Sequence, residues 1–223
     1  MDSSQRWVRL ARHTGAAGIA GAVLLFAPVI AVSGLGEPPL HAEEREVVAF
    51  FDATADAGWY EATEAVFLLG ALVLLWSLVG LGLLLRRAEG QPAWRGAMVV
   101  VSAAVFAAYP FVDVSWDVAG RHGSDFDAGL LHYAFDTGNL GFANTWLALG
   151  SVAAASGWVT LETRVLPRWT AWLALFAAAG FVVARFFWTT DVWLVPYAAF
   201  WVWFLAVCVR LLRRPDSLSA ATP

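Results

Sequence analysis

Apolar runs of about twenty residues alternate along this chain with short polar stretches, and successive stretches alternate in the sign of their charge. A helix needs about 20 apolar residues to cross the hydrocarbon core of a bilayer. On that measure six spans are expected, near 14–33, 59–85, 96–116, 128–158, 169–188 and 192–212. The fold class that follows is all-α: a polytopic six-helix membrane bundle forming one domain over 1–214, with a loose tail at 215–223. Met1 to His13 carries Arg6, Arg9 and Arg12 ahead of the first run. A basic head, an apolar body and Ala31-Val32-Ser33 also match a secretory signal and its cleavage site. The run is long for that role, and Gly15, Gly18 and Gly21 suit close helix contact, so it is expected to stay as the first span.

Between the first two runs lies a loop, 34–58, bearing Glu37, Glu43, Glu44, Glu46, Asp52 and Asp56 against the single Arg45. Val47, Phe50 and Phe51 recur there at helical spacing, which predicts a short amphipathic helix, either lying on the membrane surface or capping the bundle. The second run ends at Arg86 and Arg87, and the third is expected to kink at Pro110. Tyr109, Asp113 and Asp117 would then follow one another on one helix face. A polar loop is expected between Asp117 and Asp127, and the fourth run opens after it.

Charge orients the bundle. All arginines except Arg45, Arg121 and Arg185 fall on one set of span ends, and most acids fall on the other. Cytoplasmic loops are enriched in Lys and Arg, so both termini are expected inside the cell and the acidic loops outside. Trp7, Trp59, Trp94, Trp116, Trp158, Trp169, Trp172, Trp188 and Trp193 lie near predicted span ends, as an interfacial belt requires. Composition agrees: of 223 residues 60% are hydrophobic and 14% charged, far from soluble usage. Every basic residue other than histidine is arginine. The lone Cys208 sits in an apolar run, which excludes an internal disulfide and fits a small buried hydrophobe.

Candidate chemistry gathers on the outer side. Leu131 to Trp146 begins the fourth run with His132, Asp136 and Asn139 at i, i+4 and i+7, a polar stripe on one face. A carboxylate within a bilayer is costly and must find partners or water. Asp136 with Asn139 reads first as an inter-helix hydrogen-bond node and second as a ligand site, and Asn144 is read as a further structural polar group. Arg185, flanked by aromatics, needs a partner: Asp136, Asp113 or Asp191 could supply a carboxylate, or the side chain could reach up to the headgroups. Glu61 and Glu64 open the second span and complete the outer set. His132, with Asp113 and Asp117 beside it and His122, His41, Asp125 and Asp127 nearby, forms a weak metal candidate without any ligand-pair spacing. There is no serine elbow, phosphate loop or nucleic-acid patch, so no cofactor is expected. Span four, rich in small residues, is expected to be central, with bulk at Gly141 doing more harm than at Gly80.

Four features in order carry a resemblance. They are a surface acidic loop ending in a span led by Trp59 and Tyr60, then Leu85-Arg86-Arg87-Ala88-Glu89-Gly90, then Asp136-x-Gly138-Asn139-x-x-Phe142, then Leu166-Pro167-Arg168-Trp169-x-x-Trp172-Leu173-x-Leu175. In that order they resemble the six-span bacterial membrane family catalogued as domain of unknown function 4386. The resemblance implies a six-helix fold and a multi-pass place in the inner membrane, and it implies no reaction. Three function classes remain. The leading one is a non-catalytic envelope protein that binds lipid, a membrane partner, a second copy of itself or a small ligand. The others are a small proton-coupled carrier using Asp136 and Arg185, and an outward-facing metal-dependent hydrolase using His132 with carboxylates.

Overall fold

The computed structural model describes residues 3–40 and 42–215, and every element among them is helical. The order is α1 (Ser3–Ser33), α2 (Glu44–Ala55), α3 (Tyr60–Glu89), α4 (Trp94–Val112), α5 (Ser115–His122), α6 (Ala128–Thr163), α7 (Arg168–Phe186) and α8 (Leu194–Arg213). Single 3₁₀ turns at Gly123–Asp125 and Asp191–Trp193 lead into α6 and α8. His41 and the tail beyond Pro215 lie outside the described residues.

Five stretches are long and apolar enough to cross a membrane: Ser4–Ser33, Tyr60–Glu89, Trp94–Asp125, Arg168–Phe186 and Asp191–Arg213. The expected fourth span, within α6, is not among them. Its neighbours explain the shortfall, because α6 packs against α2, α3, α4, α5, α7 and α8. A helix enclosed by protein needs small, close-packing side chains more than lipid-seeking ones, and α6 buries Ala143, Ala148, Gly150, Ala153, Ser156 and Gly157.

The bundle closes where small residues let backbones meet. A Cβ on Gly21 would stand 2.8 Å from the Leu74 nitrogen, and one on Gly70 2.7 Å from the Leu25 nitrogen, so α1 and α3 touch backbone to backbone. α1 starts at Ser3, ahead of its arginines, and Arg87 lies 4.6 Å over the Trp7 ring. Around this contact Leu78, Leu81, Leu85, Val99, Trp146, Leu149, Val152, Phe181 and Phe204 form the main core. Cys208 is buried in it as a free thiol.

A second, separate core sits at the other end. Val47, Phe50 and Phe51 of α2 pack with Ala119 of α5 and with Leu131, Ala134 and Phe135 of α6. The amphipathic helix of the acidic loop is therefore a folded cap, its first turn closed by the Glu43 N–H donating to the Glu46 carboxylate at 3.2 Å. Trp116 belongs to this cap and not to an interfacial belt, stacking on Phe135 at 5.4 Å and meeting Phe51 edge-on. Trp193 likewise turns inward and stacks on Trp146 at 5.5 Å. Trp59, Trp94, Trp158, Trp169 and Trp172 are exposed, as a belt would have them.

Two boundaries differ from the sequence expectation. The helix of the third span does not run on to 116 with a kink. α4 ends at Val112, two residues past Pro110, and the backbone is extended at Asp113 (φ −87°, ψ 98°) before α5 begins. The Asp113 carboxylate fixes this corner by accepting from the Ser115 N–H at 3.2 Å and its hydroxyl at 2.6 Å. The expected polar loop from Asp117 to Asp127 is mostly α5 and its 3₁₀ turn.

The arginine end is bound together at the α3–α4 turn. Glu89 accepts from the N–H of Arg95 at 3.2 Å and of Gly96 at 2.9 Å, satisfying the first amides of α4. Arg95 reaches both Glu89 (2.7 Å) and Glu162 of α6 (2.6 Å), between the rings of Trp94 and Trp158. Three helices thus share two ion pairs through Arg95, with their aromatic cover.

Candidate functional site

The polar residues at the cap end fall into three groups, where the sequence had suggested one. The largest joins the start of α3 to α5. Tyr60, only 5% exposed, lies under α5 so closely that Gly120 faces its ring with no room for a Cβ. Its hydroxyl lies near the Asp117 carboxylate. One turn on, Arg121 forks between Glu61, at 3.1 Å, and Glu64. Three carboxylates, one guanidinium and one phenol therefore gather where the cap meets α3. Arg121 is what permits the acids to stand so close, since like charges would otherwise repel.

The second group links α4 to α6. The Tyr109 hydroxyl donates to the Gly138 carbonyl at 2.6 Å, and its ring and the Asp113 carboxylate lie directly over Gly141. Tyr109, Asp113 and Asp117 are brought to the same region, although the break at Asp113 means that they do not share one helix face.

The stripe on α6 has no such role. Asp136 is 55% exposed, and its ionic neighbour is His132 of its own helix at 3.8 Å. The Asn139 amide donates to the Phe135 carbonyl at 2.9 Å, again within α6. Among the described residues the expected inter-helix node at Asp136 and Asn139 is therefore absent, for a rotational reason: Leu131, Ala134, Phe135 and Gly138 face the cap, which leaves the stripe turned away. Nor is His132 brought to Asp113 and Asp117. Among the described residues no three His, Cys, Asp or Glu side chains are grouped to hold a metal ion.

The third group is Arg185. None of the three candidate carboxylates meets it: its Nε donates to Asn144 Oδ1 at 2.9 Å, joining α7 to α6. The expected pairing with Asp136, Asp113 or Asp191 is replaced by a neutral amide. Asp191 is exposed in its 3₁₀ turn. The expectation of a single cluster around Asp136 and Arg185 gives way to two separate places on α6, because Asn144 stands two turns further along that helix than Asp136.

Sequence reasoning missed Tyr60, Arg121 and the pair of Asn144 with Arg185 as contact makers, and it read Arg95 as a topology marker alone. Arg121 had a usable signal, being one of only two arginines among the acids of the acidic loops. Asn144 had none, since its partner lies 41 positions away on another helix. No protein-family model matches the chain, and no curated protein or solved structure is similar to it.

Proposed function

We propose that the chain is a non-catalytic multi-pass protein of a bacterial cell membrane that acts by binding on its outer side. In this reading α1, α3, α4, α6, α7 and α8 all cross, the arginine-bearing ends lie in the cytoplasm, and the cap of α2 and α5 stands outside. The resemblance to domain of unknown function 4386 belongs to the same proposal.

The observation that carries it is the pairing of a long helical bundle with a cap that has its own core at the end opposite the arginines. α6 supports six crossings despite its modest hydropathy. From Asn144 to Thr163 is about 20 residues, or roughly 30 Å of helix, which suffices for the hydrocarbon layer. Its first part, with His132, Asp136 and Asn139, then projects beyond that layer beside the cap, where a carboxylate costs little. Binding is favoured over catalysis because the outer polar groups serve as ties: Arg121 to Glu61 and Glu64, Tyr109 to Gly138. What binds is proposed as lipid, a membrane partner or a second copy.

Single-cysteine labelling tests the arrangement, with Cys208 buried and silent. Cysteines placed at Glu44 and Ser124 should react with a membrane-impermeant maleimide on intact cells, and those at Glu162 and Arg213 only after lysis. Labelling of position 162 from outside would overturn six crossings in this orientation.

A further inference from the structure

We propose that Arg185 and Asn144 together bind the phosphate of an anionic lipid at the edge of the bilayer. The first observation is incomplete use of a guanidinium. Arg185 carries five N–H groups, and among the described residues its one hydrogen-bond partner is Asn144, through Nε. That bond fixes the plane of the fork and leaves the Nη1 and Nη2 groups, the pair that fits two phosphate oxygens, without a partner.

The surroundings say where the anion comes from. Asn144 is exposed, and so are its helical neighbours Leu140 and Leu147 and the Arg185 neighbours Val182 and Phe186. A cation set in an exposed apolar surface faces acyl chains on one side and headgroups on the other. Depth selects the headgroups. α7 has 19 residues, a rise of about 28 Å between the Arg168 end and the Arg185 end, close to one hydrocarbon thickness. Asn144 lies the same distance from the far end of α6. Both residues thus stand at a bilayer edge, where lipid phosphate is the concentrated anion and a long cationic side chain reaches it readily. An exposed amide and an unneutralised arginine across two helices form a built phosphate seat, with Phe186 beside it as an acyl-chain contact. Assignment to the outer leaflet rests on the proposed topology; the contact with phosphate does not.

Native mass spectrometry of the full chain, released from detergent with equimolar phosphatidylglycerol and phosphatidylcholine of matched acyl chains, tests this. Retained phosphatidylglycerol should exceed phosphatidylcholine by roughly fivefold, the factor expected for one cation beside an anionic headgroup. Arg185→Gln should bring the ratio to about one, Arg185→Lys should keep part of it, and Asn144→Ala should lower it by loosening the fork. Excess inorganic phosphate should leave the ratio unchanged. Equal retention by the unaltered protein, or a preference that survives Arg185→Gln, would overturn the proposal. Displacement by inorganic phosphate would overturn the lipid as its source, and a dimer dissolved by Arg185→Gln would give the face to a second copy. Should Arg185→Gln fail to fold, the unaltered protein and Asn144→Ala still decide. None of these readouts depends on orientation, so the labelling experiment can fail while this one succeeds.

Discussion

The hydroxyl of Tyr109 on α4 meets the backbone carbonyl of Gly138 on α6 at 2.6 Å, one turn from Gly141, whose missing side chain makes room for the tyrosine ring. This contact sets how closely the two helices lie at the junction of bundle and cap. A Cβ on Gly141 would stand 2.8 Å from the Asp113 carboxylate and also strike the ring. Gly141→Ala should cost about 1–3 kcal/mol through overpacking, read as a lower melting temperature in detergent. Tyr109→Phe, which loses one neutral hydrogen bond, should cost about 1 kcal/mol. Gly80 is not a free position either, since a Cβ there runs into the Thr14 hydroxyl. Thr14 can turn that group aside while Tyr109 is anchored, so Gly80→Ala should be the milder change; the reverse order would sink this account.

Glu89 is the acid that the bundle can least lose. Its side chain is 2% exposed and satisfies two amides and one guanidinium. Glu89→Ala should cost about 2–4 kcal/mol, combining a lost helix cap with the loss of the buried partner of Arg95, which then keeps only the exposed Glu162. Glu162→Ala, at the exposed arm of the same pair, should change the melting temperature far less. Equal effects would show that Glu89 is not the anchor.

Asp136→Asn should alter stability by no more than about 0.5 kcal/mol, as for an exposed side chain with a weak neighbour. A large loss would restore the inter-helix role that the sequence suggested for this carboxylate and that the rotation of α6 removes.

Arg121→Ala should loosen the cap without unfolding the bundle. Amides of α2 and α5 should exchange faster, those of α3, α6 and α7 should not, and high salt should mimic part of the effect. Uniform acceleration throughout the chain would mean that cap and bundle are one cooperative unit.

Phe51→Ala, in the middle of the small core, should act in the same direction more strongly. Removing a fully buried phenyl costs about 3–5 kcal/mol, a large share of what eight buried residues can supply to the cap. Protease cleavage confined to the cap region would be the signature, and unchanged resistance would count against a separate cap core.

The ends of most helices were legible because hydropathy and charge are local quantities: Arg86, Arg87 and Gly90 stop α3, and Pro167 precedes α7, wherever the neighbours lie. Val47, Phe50 and Phe51 announced α2 by their spacing alone. The break at Asp113 was less legible. Pro110 signalled disturbance, but a kink and a stop differ only in whether Ser115 can satisfy the Asp113 carboxylate at the corner.

By itself the sequence determined a helical chain with apolar runs of spanning length, arginines gathered at one end and an amphipathic segment among the acids at the other. These follow from periodicity and from the cost of burying charge. Tertiary structure decided which polar groups meet: Arg121 with Glu61 and Glu64, Tyr60 with Asp117, Arg185 with Asn144 and not with any carboxylate. Such pairings depend on the rotation and axial stagger of each helix. One residue of shift turns a side chain by about 100°, and only the packing of glycines and aromatics between neighbouring helices fixes that shift.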